Sequence, residues 1–411
     1  MTSESSLGWS HRTLGSLADY INGFGFGPDQ WGTSGLPIVR IENMRDPEAP
    51  ANLYSGTLPD RFKVAAGDLL LSWSATLMAL IWDRPPAWVN QHIFKVVPGP
   101  SVDSAYLCHL LNAALDRLAA KSHGTTMKHV KRSDLLPFEV LVAPTTEQPE
   151  IGRILDTVDD AIRSTEHLIA KLEQVEQGLL HDLLTRGIDE SGQLRDVRRQ
   201  PRLFTNTDLG LLPRHWEVTT LDRAIEIIDC KHYTPTYVEE GIPVVRPRNI
   251  KSYGISFADV EFVSDADFRI LTEKHTPRRG DIVFCRNASF GTASFVDFDA
   301  PFAIGQDTII LTPRREDSRF IHACMEAEGV QRQIQALSGG STFGRINLRE
   351  IRKLLLPVPP IEEQTSIVAV LATEEQRLRT EHSYLAVLQM LKAGLRDDLL
   401  TGRVRVTQEA A

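Results

Sequence analysis

The chain has 411 residues, 42% of them hydrophobic, and a formal net charge of −9 at pH 7, and this length is enough for two or three domains. No apolar run approaches the roughly 18 residues of a membrane span, and the polar N-terminus, MTSESSLGWSHR, lacks the apolar core of a signal peptide. The sequence therefore argues against a membrane or secreted protein, and we expect a cytoplasmic one.

The first 146 residues predict a mixed α and β domain. Short β-rich runs at 37–41, 67–72 and 93–97 are separated by Gly and Pro turns, and one helical pattern lies near 103–120.

One long helix is predicted over 147–187, with Pro144 and Pro149 near its start and Gly187 at its end. Its apolar residues recur in steps of four and three, the a/d spacing of a coiled-coil seam. A helix of about 40 residues is roughly 60 Å long and cannot bury this stripe within a small domain, so we expect a second helix to cover it. The seam residues chosen are Ile151, Leu155, Ile162, Leu172, Leu179 and Leu183.

The second half of the chain repeats this order. A polar linker is predicted over 188–204, a second mixed domain over 205–359, a second long helix over 360–403 and a tail over 404–411. The β-rich runs and helical pattern of the second domain lie at 243–246, 281–285, 308–311 and 317–337. The seam residues of the second helix are Ile367, Leu371, Leu378, Leu388, Leu395 and Leu399.

The two halves are copies of one another. PTTEQPEIGRIL (144–155) falls on PIEEQTSIVAVL (360–371), and GLLHDLLTRGI (178–188) falls on GLRDDLLTGRV (394–404). Earlier matches occur at slightly different offsets: PIVRIENM with PVVRPRNI, GDLLLSWSA with GDIVFCRNA, and NQHIFKVVP with GQDTIILTP. We therefore predict an α+β fold in which two duplicated mixed α/β domains are separated by two long helices. The helices pair as an antiparallel coiled coil with pseudo-twofold symmetry.

The sequence carries no recognisable catalytic or metal-binding motif. Phosphate-binding, dinucleotide-binding, zinc-protease and nucleophile-elbow signatures are all missing. The four cysteines form no C-x-x-C pair, and Cys230 with His232 supplies only two of the four ligands that zinc requires. We expect no metal, no disulfide and no cofactor bound by this chain, which points to a binding protein.

The charge is unevenly distributed along the chain. Residues 147–186 carry nine acidic and four basic side chains, and residues 363–402 carry six and four. By contrast, KSHGTTMKHVKR (121–132) and VVRPRNIK (244–251) contain no acid. A polyanionic partner is therefore compatible with the net negative charge.

These basic segments and positions in the other half of the chain supply candidates for DNA contact, most of them in matched pairs. Arginine can donate two hydrogen bonds to guanine, asparagine can pair with adenine, and Ser, Thr and Lys commonly hold phosphates. The candidates are Arg40, Asn43, Lys128, His129, Lys131, Arg132, Arg246, Arg248, Asn249, Arg286, Ser341, Thr342 and Arg345. The alternative for the Arg and Asn residues is that they cap a turn or pair with an acid, and for the GTT (124–126) and GST (340–342) segments it is a plain β-turn.

These motifs occur in the same order in both halves of the chain. Together they resemble the DNA-specificity subunit of a type I restriction-modification enzyme. DCKHYTPTYVEEGIPVVRPRNI (229–250) is similar to the His-x-Thr-Pro opening of many target recognition domains in that family, whereas INGFGFGPDQWGTSGLPIVRIENM (21–44) resembles its other common opening. LPVPPIEEQ and DDLLTGRVRV resemble the family's second conserved helical region. The first half lacks His-x-Thr-Pro, so no role shared by both halves is assigned to His232.

The resemblance implies that each mixed domain recognises one half of a split double-stranded DNA site. It implies that the paired helices bind two methyltransferase subunits, which hold S-adenosylmethionine and modify adenine. Restriction subunits that use ATP and Mg²⁺ then join the complex. The alternative is a coiled-coil interaction scaffold that binds no nucleic acid, which explains the acidic helices but not the acid-free basic segments.

Overall fold

The computed structural model describes residues 8–121, 130–251, 254–287, 291–338 and 346–406. The chain folds into two compact units, one made of Met1–His167 and His382–Ala411 and the other of Leu168–Glu381. Each long helix is thus divided between the units, so these units do not coincide with the contiguous domains expected from the sequence.

The first unit contains two four-stranded sheets. The antiparallel sheet has the order Ala18–Asn22, Ile93–Pro98, Leu69–Ser72 and Met78–Ile81, and the second sheet has the order Leu53–Tyr54, Leu36–Val39, Ala87–Val89 and Lys63–Val64. A separate antiparallel pair joins Ser10–Thr13 to Glu139–Val142. The α-helices of this unit outside the two long ones are Ile41–Arg45, Ser104–Lys121 and Arg132–Leu135, and its 3-10 turns are Leu14–Ser16, Pro28–Gln30 and Asp60–Phe62.

The second unit repeats the antiparallel sheet of the first. Its antiparallel sheet has the order Ile225–Asp229, Thr308–Pro313, Ile282–Cys285 and Ala293–Phe295, and its second sheet has the order Tyr237–Val238, Glu261–Val263, Ile242–Val245 and Ala303–Ile304. The second sheet keeps three equivalent strands, but the fourth, Tyr237–Val238, lies on the opposite edge from Lys63–Val64. Three two-stranded pairs are Glu217–Thr220 with Leu355–Val358, Phe204–Thr207 with Gly210–Pro213, and Ile250–Lys251 with Gly254–Ile255. The shorter α-helices are Leu221–Ala224, Asp265–Leu271, Ser318–Glu326, Glu328–Ser338 and Leu348–Ile351, and the 3-10 turns are Pro201–Leu203 and Pro247–Asn249.

Burial on both faces explains the continuous apolar strands at the centre of each antiparallel sheet. Leu69 and Leu71 pack in one hydrophobic cluster and Leu70 in another. In the second unit, Ile282 and Phe284 pack on one side and Val283 and Cys285 on the other. Strands buried on both faces show no polar alternation, because neither face meets water.

The two long helices are Gln148–Arg186 and Ile361–Leu400, close to the predicted ranges. In the first unit their segments run antiparallel, since Lys392 pairs with Asp159 and Arg405, just beyond the second helix, pairs with Glu147. In the second unit the segments are again antiparallel, because Ile188 N–H donates to Glu363 and Glu176 lies close to Glu374 and Glu375.

The repeated Glu-Gln motif fastens the start of each long helix. Gln148 is buried, donates to Ala143 O at 2.9 Å and accepts from Asp103 N at 2.9 Å. In the second unit, Gln364 donates to Pro359 O at 2.9 Å and accepts from Asp317 N at 2.8 Å. Each Gln therefore ties the start of a long helix to the residue that precedes a domain helix, and its buried amide keeps hydrogen-bond partners on both sides.

The neighbouring Glu binds an arginine that follows the end of the other long helix. Arg195 Nη1 lies 2.5 Å from Glu363 Oε1, and the same carboxylate accepts from His215 and Trp216 at 2.9 and 3.1 Å. In the first unit, Arg405 pairs with Glu147 and lies 5.9 Å from the ring of Trp9. Each unit therefore contains an ion pair that closes the end of its helix pair.

Two expectations about connections need correction. The predicted linker over 188–204 is folded into the second unit, because Gly187 turns the chain at φ +63° and places Ile188, 4% exposed, in the core. The helical pattern near 317–337 forms two helices, since Ala327 is extended with ψ 142° and ends the first of them.

Candidate DNA interface

A pair of parallel strands positions the candidate site in each unit. Val39 lies beside Val89 in the first unit, and Val245 lies beside Ile304 in the second. Because parallel strands end at the same edge, the next residues emerge together: Arg40 with Asn90 and Gln91, and Arg246 with Gly305 and Gln306. Asn90 N–H donates to Val39 O at 3.1 Å, and Gly305 N–H donates to Val245 O at 2.8 Å. We call these two places the strand-end edges.

Arg40 is held at the first strand-end edge by neutral groups. Its guanidinium lies 4.4 Å from the centre of the Trp31 ring, a distance typical of a cation–π contact. With the Asn52 amide oxygen turned toward it, Arg40 donates to that oxygen at 3.2 and 3.0 Å. Its positive charge is therefore oriented but not neutralised by these neighbours.

Arg246 occupies the equivalent position and is held by an acid. Its guanidinium lies 4.8 Å from the Tyr237 ring, donates to the Tyr237 hydroxyl, and has Nη1 2.6 Å from Glu261 Oε2. Arg248 shares the same carboxylate at 3.8 Å and donates to Asp259 O at 2.7 Å. The second strand-end edge therefore presents arginines whose charge is partly compensated.

The two candidate asparagines cap turns, which corrects their assignment as base-reading residues. Asn43 and Asn249 are 5% and 2% exposed. Each amide oxygen accepts from a backbone N–H three residues earlier at 3.0 Å, and each amide nitrogen donates to a backbone carbonyl, of Ala49 or Ala258. With both amide groups engaged in buried local bonds, neither can pair with adenine without disrupting the turn.

Arg286 also has a structural role, which corrects its assignment. It is 5% exposed, its Nη1 lies 2.8 Å from Asp229 Oδ1, and its Nε donates to Ile346 O at 3.3 Å. A buried guanidinium paired with a carboxylate holds the fold together and is not accessible to DNA. Comparison of the two halves gives no sign of this structural role, because the equivalent residue in the first half is Trp73.

Lys131 and Arg132 are exposed at the start of the short helix Arg132–Leu135. The Arg132 guanidinium lies 5.8 Å from the Phe94 ring. Both residues are therefore available for contact with phosphates. The candidates Lys128, His129, Ser341, Thr342 and Arg345 lie outside the described residues.

The segments that contain those five candidates rejoin the described fold at equivalent places. Val130 N–H donates to Trp73 O at 3.0 Å, and Ile346 N–H donates to Arg286 O at 3.0 Å. Trp73 and Arg286 both follow the central strand of an antiparallel sheet. Val130 and Ile346, the first described residues after these segments, are therefore bound at equivalent places in the two units.

Four residues of the strand-end edges were not among the candidates for DNA contact: Trp31, Tyr237, Gln91 and Gln306. Trp31 and Tyr237 each stand nine residues before the arginine that they contact, a spacing visible in the sequence once the halves are aligned. The glutamines could have been found in the aligned pair NQHIF and GQDTI. They are exposed in the structure.

The seam residues predicted in the long helices are all buried or half-buried. Eight of them are buried and Ile162, Leu179, Leu371 and Leu395 are half-buried; the buried ones are Ile151, Leu155, Leu172, Leu183, Ile367, Leu378, Leu388 and Leu399. Their burial accounts for the apolar repeat without a bound partner.

Neither metal chemistry nor a reactive thiol is evident in the described ranges. Within them, no group of three or more His, Cys, Asp or Glu side chains is arranged to hold a metal, and His232 Nε2 lies 3.5 Å from Asp229. Burial raises the pKa of Cys108 to about 12 and also raises those of Cys230 and Cys324. These thiols stay protonated and are poor nucleophiles. Over the same part of the chain, no helix is long and apolar enough to cross a membrane.

Comparison with known proteins identifies relatives over nearly the whole chain. The family described as the type I restriction modification DNA specificity domain matches residues 7–174 and 213–389. The chain is 22% identical over 373 residues to the type I restriction enzyme EcoBI specificity subunit of Escherichia coli, covering 88% of this chain and 78% of that protein. It is 22% identical over 379 residues to the MjaVIII specificity subunit of Methanocaldococcus jannaschii, covering 90% and 86%.

A solved structure has the same fold. The crystal structure of the type I restriction-modification system S subunit from M. genitalium aligns with a TM-score of 0.60 at 17% identity, covering 99% of both chains. The family matches fall on both halves of the duplicated fold, and each match contains one strand-end edge. This chain belongs to the type I restriction modification DNA specificity domain family.

Proposed function

We propose that this chain is the specificity subunit of a type I restriction-modification complex and recognises a bipartite double-stranded DNA sequence. Each unit recognises one half-site, and partner subunits carry out adenine methylation or cleavage. The observation that carries this proposal is the duplicated strand-end edge, where an arginine rests on an aromatic ring at the ends of two parallel strands. Two similar but chemically different edges suit a target whose halves differ in sequence.

The chain itself is proposed to be non-catalytic and to bind no cofactor. Methyltransferase subunits, two per complex, supply S-adenosylmethionine chemistry, and restriction subunits supply ATP- and Mg²⁺-dependent cleavage in the cytoplasm.

The alternative of a coiled-coil scaffold without DNA binding is less consistent with these features. Packing of the seam residues explains the helices equally well under either function. A scaffold gives no reason for the exposed Lys131 and Arg132, or for arginines that rest on aromatic rings at matching edges.

A methylome tests the proposal. The chain is expressed with its methyltransferase subunits in a host that lacks adenine methylation, and modified bases are mapped by single-molecule sequencing. A split motif with methylated adenine is the expected result, and purified complex should shift a duplex carrying that motif. No modification beyond that of the methyltransferase subunits alone, together with no sequence-specific shift, would contradict the proposal.

A further inference from the structure

The strand-end edges carry one residue type in common besides arginine. Gln91 and Gln306 follow the second strand of each parallel pair, one residue after the position beside the arginine. Both glutamines are exposed. Their surroundings differ, since FGFGPDQW precedes the first parallel pair and DCKHYTPTY precedes the second.

Both side chains are positioned by the opening segments of their domains. Gln306 Nε2 donates to Thr234 Oγ1 at 3.4 Å. Gln91 Oε1 would lie 2.7 Å from a Cβ at Gly25, so the amide lies close against that backbone. Each glutamine therefore lies against the opening segment of its own domain.

Within the described ranges, neither Gln306 Oε1 nor Gln91 Oε1 accepts a hydrogen bond. Gln306 Nε2 donates to Thr234, and Gln91 Nε2 lies 3.5 Å from His92 Nε2. This contrasts with Asn43 and Asn249, whose amides are buried, with oxygen and nitrogen both hydrogen-bonded to the backbone. A glutamine amide offers a donor and an acceptor side by side, the arrangement that pairs with N6 and N7 of adenine in the major groove.

We infer that Gln91 and Gln306 are specificity-determining residues, each reading an adenine in one half-site. This inference rests on the proposed function and assigns the reading role to glutamine. Arg40 and Arg246, beside them, contact the adjacent base pair or phosphate. At the second edge the glutamine carries more of the discrimination, because Arg246 is already paired with Glu261.

The test uses the full chain with its methyltransferase subunits and compares the wild type with Gln306→Ala, Gln306→Glu and Gln91→Ala. Methylomes give the motif of each variant, and gel shifts on duplexes with one changed base give the discrimination. Gln200→Ala, at an exposed glutamine after the first long helix, is the matched control. Thermal unfolding of each complex verifies that the variant is folded.

Gln306→Ala should reduce discrimination at one adenine of one half-site by about 10- to 100-fold, and Gln91→Ala should do so in the other half-site. Gln306→Glu should shift the preference at that position toward cytosine, since a carboxylate accepts from cytosine N4. Unchanged motifs in the glutamine variants, or equal weakening on every sequence, would overturn the inference. A wild-type complex without a split motif would instead refute the proposed function, so the two failures are distinguishable.

Discussion

At the scale of single residues, one difference between the halves changes the charge at the strand-end edge. Asn52 and Glu261 occupy equivalent positions, since each stands three residues after the alanine whose carbonyl binds the turn-capping asparagine. Arg40 is therefore held by a neutral amide and Arg246 by a carboxylate. The arginine beside the carboxylate should contribute less to the attraction of DNA phosphates.

Replacing Glu261 by Gln should release the charge of Arg246 and strengthen DNA binding. When the logarithm of the DNA association constant is plotted against the logarithm of the salt concentration, the slope should become steeper by up to about 0.9. This is the value for one additional phosphate contact. Asn52→Asp should have the opposite effect through Arg40. Gel shifts at several salt concentrations measure both. Asp299→Asn, which removes the acid from the exposed Arg279 pair, controls for net charge; an equal change in that variant would contradict a local effect.

At the scale of elements, the sequence was sufficient for strands and long helices and insufficient for the site. Apolar runs and a/d spacing predict elements because burial on two faces or along one stripe imposes them locally. Arg286 could not be assigned this way, since its partners Asp229 and Ile346 are distant in the chain. The turn cap of Asn43 is local, and it was one of the two readings that the sequence left open. The glutamines were missed because a turn residue after a strand carries no periodic signal.

The ion pairs at the helix ends should stabilise the units unequally. Arg195 and Glu363 are 11% and 9% exposed, whereas Arg405 and Glu147 are 36% and 11% exposed. Arg195→Met should therefore destabilise the second unit by about 3 kcal/mol, because it leaves a buried carboxylate without its cation. Arg405→Met should lower the free energy of unfolding of the first unit by a smaller amount. Arg199→Met, at an 87% exposed side chain, is the control in urea unfolding.

The same carboxylate gives this prediction a pH dependence. Burial raises the pKa of Glu363, but hydrogen bonds from Arg195, His215 and Trp216 outweigh burial, and the net pKa is lowered. The stabilisation is therefore present above the ordinary carboxyl pKa of about 4.3 and is lost as pH falls through the lowered value. Unfolding measured between pH 3 and 7, as rough limits, should show a shallower acid loss in Arg195→Met; identical acid profiles would contradict the role of Arg195.

Equivalent positions of the two long helices carry side chains of opposite charge, a lysine in the first unit and a glutamate in the second. Lys392 pairs with Asp159, whereas the corresponding Glu176 faces Glu375. Burial and then the nearby Glu375, Glu173 and Glu374 raise the pKa of Glu176. Its protonated form is favoured in the folded state, so its contribution is present at low pH and lost as pH rises through the raised pKa.

Glu176→Gln should therefore stabilise the second unit at pH 7 by about 1 kcal/mol or less, because the half-buried site is partly screened. The difference from wild type should vanish below the ordinary pKa of a glutamate, about 4.3. Lys392→Gln, the matched change, should destabilise the first unit. Urea unfolding at several pH values provides the measurement, and a Glu176→Gln variant that is less stable at pH 7 would contradict this account.

At the scale of the whole molecule, the first unit is assembled from both ends of the chain. Its core includes Trp9 and Val142 together with Leu399 and Leu400 of the second long helix. Gly402 lies against the Trp9 ring, and Arg405 pairs with Glu147. The second unit is continuous in sequence. The first unit can therefore be completed only when residues 399–405 are present.

A chain that ends at Thr401 should lose stability in the first unit selectively. It lacks Gly402 and Arg405, so Trp9 loses a packing partner and Glu147 loses its cation, at a combined cost of about 2–4 kcal/mol. Hydrogen exchange should accelerate at 8–14 and 139–155, with little change at 204–220 in the second unit. Arg405→Met in the full chain should give part of the effect. Equal acceleration in both units, or none in the first, would show that the terminal segment does not close that unit.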